Sequence, residues 1–119
     1  TQHQRGEAFR DLHANQKIFL MPNPWDKGSA VLLEKLGFEA LASTSAGFAF
    51  SQGMPDGTPS FEQVLGHLRE LCASTSLPVS ADLEAMYADS PEAVYRNLQR
   101  AAACGIVGAS IQDSGSDPG

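Results

Sequence analysis

The stretch PVSADLEAMYADSPE, residues 78–92, decides the fold of this chain, because it changes from apolar to acidic within a few residues. Residues 77–83 are small and apolar on both faces, as in a buried parallel strand. Asp82 and Glu84 stand where that strand should stop. Two interpretations are open at this point: an acidic turn in solvent, or the floor of a site that holds a cation.

Helix signals flank the predicted strand on both sides. Downstream, Ser90 and Pro91 provide an N-cap and a first-turn proline for a helix that closes on Gly105. Upstream, Ser60 and Gln63 have the spacing of a capping box, which predicts a helix directly after Ser60. The strand is therefore expected to lie between two helices.

The rest of the chain repeats this alternation of strands and helices. Such a series requires a parallel sheet with right-handed crossovers. A helix is also expected at the N-terminus, and a long glycine-rich polar loop after the second strand. The remaining predictions are strands at 17–22, 38–44 and 106–113, a helix at 28–37 capped by Gly37, and the loop at 45–59.

Composition favours one domain without a nucleic-acid or membrane partner. The chain has 119 residues, 42% hydrophobic and 18% charged, which suits a single modest core over 1–119. Its net charge of −6 comes from scattered acidic residues, which gives no electrostatic reason to expect nucleic acid or an anionic surface. No stretch approaches the roughly 20 apolar residues of a membrane span, and the N-terminus lacks the apolar core of a signal peptide. The expected location is cytoplasmic.

The cysteines and histidines show no metal-ligand spacing. Cys72 and Cys104 lie in helical patterns without a neighbouring Cys or His, so both are predicted to be buried apolar thiols. The three histidines lie in charged, helical surroundings and are predicted to be on the surface: His3, His13 and His67.

Polar side chains follow every predicted strand. Ligands of parallel α/β proteins gather at the carboxyl ends of the strands, so this convergence favours the site over the solvated turn. The residues concerned are Asn23, Asp26, Ser43, Thr44, Ser45, Asp82, Glu84, Gln112 and Asp113.

Carboxylates at a strand end suit Mg²⁺ or Mn²⁺, which keep several waters and need only one or two protein carboxylates. Residues two apart on an extended segment point the same way, so Asp82 and Glu84 are expected to face one ion. Gln112 adds a neutral oxygen, whereas Asp113 is as easily a salt-bridge or cap partner. The hydroxyls and N–H groups of 43–45 form a plausible nest for a carboxylate or phosphoryl oxygen.

The glycine-rich loop carries one acid and two aromatic residues of interest. Asp56 lies in the turn composition GMPDG, which explains an aspartate without any function. Phe48 and Phe50 are predicted to be exposed aromatics of a lid that closes over a ligand.

Three stretches, 22–57, 77–89 and 105–113, together resemble the isocitrate lyase and phosphoenolpyruvate mutase superfamily, which includes methylisocitrate lyase, phosphonopyruvate hydrolase and oxaloacetate-cleaving enzymes. The resemblance implies a (β/α)₈ TIM barrel that binds Mg²⁺ and a 2-oxo acid or its enolate. A methylisocitrate lyase-like cleavage of a C–C bond is the leading hypothesis. The alternatives are P–C bond chemistry on phosphonopyruvate, an inactive association module, or an unrelated flavodoxin-like open sheet.

By position, the resemblance implies roles for particular residues. Asp82 would bind Mg²⁺ directly and contact the substrate, and Glu84 would hold the ion through water. Gln112 stands where the family usually has a glutamate that also binds through water, so weaker Mg²⁺ binding is expected.

The same resemblance implies a substrate site and a catalytic residue. Ser43, Thr44 and Ser45 would cradle the substrate carboxylate. Asp56 would be the catalytic residue, the acidic side chain of a mobile gating loop that contacts the reacting end.

Two further departures from the family pattern bear on what to expect. Residues 85–88 read Ala-Met-Tyr-Ala where the family commonly has a glycine-rich turn, so the backbone there has less freedom. A full barrel takes about 250 residues, so this chain would hold only the first four βα units. We expect it to bind Mg²⁺ weakly without turnover, and its open sheet edges to favour a homo-oligomer.

Overall fold

Three short parallel strands form the centre of the molecule in the computed structural model, which describes residues 1–114. They lie in the order β1-β2-β3, with Leu41 opposite Val79 and Asp82 opposite Ser110. The elements are α1 (Gln2–Ala14), α2 (Lys27–Lys35), β1 (Leu41–Ala42), α3 (Ser45–Ser51), α4 (Phe61–Ser74), β2 (Val79–Asp82), α5 (Pro91–Ala102) and β3 (Gly108–Ser110). Within 1–114, no helix is both long enough and apolar enough to cross a bilayer.

Local capping signals set the starts of the helices. Ser60 and Gln63 form the predicted capping box at the start of α4, and Ser90 caps α5. Asp26, expected to contribute to the site after a strand, instead caps α2 by accepting from the Ser29 N–H at 2.8 Å. Gly37 has a φ of 95° just after α2 ends, which suits the predicted glycine cap.

The predicted first strand, 17–22, is wrong: no strand forms there in the described residues. One main-chain bond, from the Ala42 N–H to the Pro22 carbonyl at 3.1 Å, ties this segment to β1. Prolines 22 and 24 have no N–H to donate to a ladder. Ile18 is 95% exposed, so its side chain adds no buried contact that would hold a strand in place.

The predicted loop at 45–59 is also wrong in its first half, because residues 45–51 form α3. Thr44 caps this helix, and its Oγ1 accepts from the Gly47 N–H at 3.1 Å. The glycine and serines of residues 45–51 resembled a loop, whereas the Thr44 cap and the packing of Phe48 make a helix. A turn over 52–60, exposed except at Met54 and the buried Pro59, then leads to α4.

The core lies between α4 and the sheet, where Leu65, Leu68 and Leu83 are fully buried. Cys72 and Cys104 belong to this core as free thiols, each 7% exposed, which confirms their prediction. Burial raises the pKa of Cys72 to about 11, so it stays a neutral thiol at physiological pH.

His67 was predicted on the surface and is buried, with 7% of its surface exposed. It shares the inner face of α4 with Val64 and Leu71, and its ring stacks on Phe48 with centroids 4.1 Å apart. Burial lowers its pKa, and its Nε2 is a buried atom without a hydrogen-bond partner. The other two histidines, His3 and His13, are exposed as predicted.

Candidate active site at the strand ends

Asp82, the last residue of β2, is the centre of the hydrogen-bond network at the strand ends. Its Oδ2 accepts from the hydroxyl of Ser45 at 2.9 Å and from the Ser45 N–H at 3.2 Å. Its Oδ1 accepts from the Glu84 N–H at 3.1 Å. The carboxylate is thereby oriented by both the start of α3 and the turn after β2.

Ser43, Thr44 and Ser45 each take a different position around Asp82. Ser43 is buried, and its Oγ accepts from the Asp82 N–H at 3.0 Å. Thr44 caps α3, while Ser45 binds the Asp82 carboxylate directly. The predicted proximity of this run to Asp82 is therefore found in the structure.

Glu84 lies on a left-handed turn rather than on the strand. Its φ is 50°, so the strand alternation used to predict its direction does not apply. Its Oε2 accepts from the Tyr87 hydroxyl at 2.5 Å. Met86 and Tyr87 also have positive φ, 66° and 57°. Asn97 of α5 donates to the carbonyls of both, at 2.8 and 3.2 Å.

Gln112, just beyond β3, joins the same network through its main chain. Its N–H donates to the Glu84 carbonyl at 2.7 Å, so the ends of β2 and β3 are linked. The residue is exposed beside an open cavity of about 690 Å³ that is also lined by Ala85, Asp89 and Asp113. Its side chain is thus accessible to water and small solutes.

Asp56 is exposed on the turn between α3 and α4, beside Gly57. Burial is the main reason why the pKa of Tyr87 is raised, followed by the hydrogen bond to Glu84 and the charges of Glu84, Asp82 and Asp56. The catalytic role implied for Asp56 stays a prediction.

The predicted exposure of the two aromatic residues is confirmed for Phe50 alone, and its role in a lid stays a prediction. Phe48 is 8% exposed and packs inward on His67, so it is wrong as a lid residue. Phe50 is 53% exposed, and its ring meets Trp25 edge-on at 6.0 Å between centroids. A Cβ at Gly47 would lie 2.3 Å from Trp25, so α3 and this indole are in close contact.

Asn23, another predicted strand-end residue, has a structural partner. Its side-chain amide donates to the Ala42 carbonyl at 2.9 Å and ties the segment before α2 to β1. Sequence reasoning missed Tyr87, Asn97 and Trp25. No sequence signal pointed to these three, since Glu84 and Tyr87 meet through a left-handed turn that local patterns do not predict.

Any cation bound at this edge would have to keep most of its water. Among residues 1–114, no three His, Cys, Asp or Glu side chains cluster in a way that would hold a metal. Asp82 nevertheless presents an oriented carboxylate, with Glu84 and Gln112 adjacent in the network. One direct carboxylate with outer oxygens fits Mg²⁺ and does not fit a metal that needs several side-chain ligands.

Comparison with known proteins gives one family. A family model described as phosphoenolpyruvate phosphomutase matches residues 9–119. A crystal structure from Burkholderia cenocepacia J2315 with a provisional lyase/mutase assignment aligns at 49% identity and a TM-score of 0.94, covering 97% of this chain and 42% of that one. An uncharacterized Mycobacterium tuberculosis protein is 34% identical over 110 residues, 92% of this chain and 42% of its own length.

Two further relatives carry printed activities. The 2-methylisocitrate lyase of Halalkalibacterium halodurans is 26% identical over 95% of this chain and 38% of its own length. A phosphonopyruvate hydrolase solved with oxalate and Mg²⁺ has a TM-score of 0.89 at 19% identity, covering 94% of this chain and 40% of that one, which shows the shared fold. The chain thus spans about two fifths of the length of the relatives it matches.

Proposed function

Because this chain belongs to the phosphoenolpyruvate phosphomutase family, we propose that it takes part in Mg²⁺-dependent cleavage of a C–C bond beside the carbonyl of a 2-oxo acid. Membership confirms the resemblance to the isocitrate lyase and phosphoenolpyruvate mutase superfamily. The predicted fold class is confirmed as well, since the parallel α/β arrangement matches the N-terminal part of TIM-barrel members.

The observation that carries the proposal is the orientation of Asp82. Two groups of Ser45 and the Glu84 N–H hold its carboxylate at the carboxyl end of the central strand. Asp82 would be the direct ligand of Mg²⁺, while Glu84 and Gln112 would hold waters of the ion. When bound, Mg²⁺ supplies Lewis-acid polarisation of the substrate carbonyl.

The protein groups around the ion would bind and orient the substrate. The 43–45 run would receive the substrate carboxylate, which is supported by its place beside Asp82. Asp56, on the exposed turn after α3, would approach the reacting end of the substrate and transfer a proton to or from it. Phe50 and Trp25 would shield the bound substrate from water at the rim next to α3.

A titration with Mg²⁺ tests the metal site. We expect the parent to bind weakly, because Gln112 carries no charge, and Asp82→Asn to lose the binding heat. Asp11→Asn removes the same charge from an exposed position on α1 and should bind like the parent. Indistinguishable heats for the parent and Asp82→Asn would remove the metal site from the proposal.

P–C bond chemistry is the second candidate, since the matching family model is itself described as a phosphomutase. The two reactions differ in one product each. Incubation with 2-methylisocitrate would give pyruvate and succinate in the first case. Incubation with phosphonopyruvate would give pyruvate with inorganic phosphate, or phosphoenolpyruvate, in the second. A succinate assay and phosphorus NMR separate them. No turnover is expected of the 119 residues alone, and any product that does form should be lost in Asp56→Asn.

A further inference from the structure

Glu84 is not held by the strand, and the structure shows what holds it instead. The ladder of β2 ends at Asp82, and Glu84 enters a left-handed backbone conformation with φ 50°. Its carboxylate is half-buried and accepts from the Tyr87 hydroxyl at 2.5 Å. In these described residues that hydroxyl is the group that fixes where the Glu84 carboxylate points.

Tyr87 is itself fixed from two sides. Its ring stacks on Phe61 of α4 with centroids 4.9 Å apart. Its carbonyl accepts from Asn97 of α5, which also holds the Met86 carbonyl. Tyr87 is therefore held by contacts with two helices, which fix the position from which its hydroxyl donates to Glu84.

We infer that Tyr87 is a positioning residue, which holds the Glu84 carboxylate so that its other oxygen can accept from the water shell of a divalent cation at Asp82. This inference rests on the proposed function. A hydrogen-bond donor behind a carboxylate orients it, and losing the donor to a direct metal ligand typically weakens metal binding by about 10–100-fold. Glu84 would act through water, so we expect an effect at the lower end of that range for Tyr87.

The test is a set of Mg²⁺ titrations by calorimetry on the full chain. Tyr87→Phe keeps the ring and its stacking on Phe61 and removes the hydroxyl. We expect Mg²⁺ to bind it about tenfold more weakly than the parent. Tyr95→Phe makes the same chemical change at a tyrosine that is 62% exposed, and it should bind Mg²⁺ like the parent.

A double-variant cycle shows whether Tyr87 acts through Glu84. In a Glu84→Ala background, which should itself bind more weakly and has no side-chain oxygen, Tyr87→Phe should cause no further loss, because the acceptor that it positions is absent. If Tyr87→Phe weakened Mg²⁺ binding tenfold both with and without Glu84, the inference would be overturned. The loss of affinity would then come from a change in the fold of the turn. Thermal unfolding of each variant confirms that the chains compared are folded.

Failure of this inference and failure of the metal site are distinguishable. If Asp82→Asn loses Mg²⁺ binding and Tyr87→Phe binds like the parent, only the role of Tyr87 is overturned. If the parent and Asp82→Asn give identical heats, the cation site and the role of Tyr87 toward it are overturned together.

Discussion

Two of the left-handed turns in the described residues use this backbone by opposite means. The turn between α3 and α4 places glycines at its left-handed positions, Gly53 with φ 71° and Gly57 with φ 81°. The turn after β2 places Glu84, Met86 and Tyr87 in the same region. Glycine adopts this conformation freely, whereas other residues cost about 1–2 kcal/mol each. The second turn therefore depends on tertiary contacts that outweigh its strain.

Those contacts explain how the strained turn persists. Met86 is fully buried, Tyr87 stacks on Phe61, and Asn97 donates to both of their carbonyls. Strained backbone survives where surrounding structure over-determines it, and it concentrates at functional sites. The glycine turn with Asp56 is exposed and has no comparable side-chain anchors among its hydrogen bonds in the described part of the chain. The two turns therefore carry their acids differently: the Glu84 side chain is held by a hydrogen bond, whereas Asp56 is exposed to solvent.

The largest expected effect is at Met86. Met86→Ala removes a fully buried side chain and should lower the free energy of unfolding by about 2–5 kcal/mol. Met86→Gly loses the same contacts but relieves the left-handed strain, so it should be more stable than the alanine variant by about 1 kcal/mol. Urea unfolding followed by circular dichroism measures both.

This order is the reverse of what an ordinary site gives, where glycine is the less stable by about 0.5–1 kcal/mol. An alanine variant more stable than the glycine variant would therefore show that position 86 is not strained.

A smaller effect is expected at Gly57. A Cβ there meets nothing within 4 Å, so Gly57→Ala tests the backbone alone and should destabilise by about 1–2 kcal/mol. Gly66 in α4 is the matched control, because a Cβ there also meets nothing within 4 Å and its conformation is helical. Gly66→Ala should stabilise by about 0.4–1 kcal/mol. Two variants with the same sign in urea unfolding would contradict the glycine account of this turn.

The smallest expected effect is a pH dependence of stability that arises from His67. This side chain stacks on Phe48 of α3, the helix that precedes the glycine turn. Burial lowers its pKa in the folded state, and the charges of Glu70 and Asp26 oppose this only in part. The unfolded chain therefore binds more protons near pH 6. Stability should be fully present above the unfolded pKa of about 6.5 and fall as the pH drops below it, by at most about 1.4 kcal/mol per pH unit.

Urea midpoints at pH 7.5 and 5.5 measure this slope. His67→Leu should flatten it, and His3→Gln, at an exposed histidine, should not. The carboxyls of Asp26 and Glu34, whose pKa values are lowered from 3.8 and 4.5 by hydrogen bonds, titrate below this window. An unchanged slope in His67→Leu would assign the pH dependence to other groups.

Much of the helical structure was predictable because its signals are local. Ser60 with Gln63, and Ser90 with Pro91, satisfy free N–H groups within a single turn, so the same residues start a helix in any fold. The inward position of His67 was also available, since it follows Val64 by three residues and precedes Leu71 by four. The charged residues near it in the sequence favoured a surface position, but its place in the helical repeat puts it on the buried face of α4.

The site was predictable in part, for the same reason. A parallel sheet brings the ends of its strands to one edge, so the meeting of Ser43, Ser45 and Asp82 followed from the order of elements. The direction of the Glu84 side chain could not be predicted in this way. Side chains alternate between the two faces only within a strand, and β2 ends at Asp82. The metal role of Asp82, Glu84 and Gln112 and the catalytic role of Asp56 stay predictions.

The sequence by itself determined the parallel α/β class, the helix starts, the buried thiols and the residues that gather at one edge, because each depends on local capping, composition or strand order. Tertiary structure alone decided that residues 17–22 form no strand, that α3 forms, and that Glu84 is held by Tyr87. Those outcomes depend on contacts between side chains that are distant in the sequence. In the turn at 84–87, the burial of Met86 and the hydrogen bonds from Asn97 outweigh the cost of left-handed backbone, and no local sequence pattern predicts that balance.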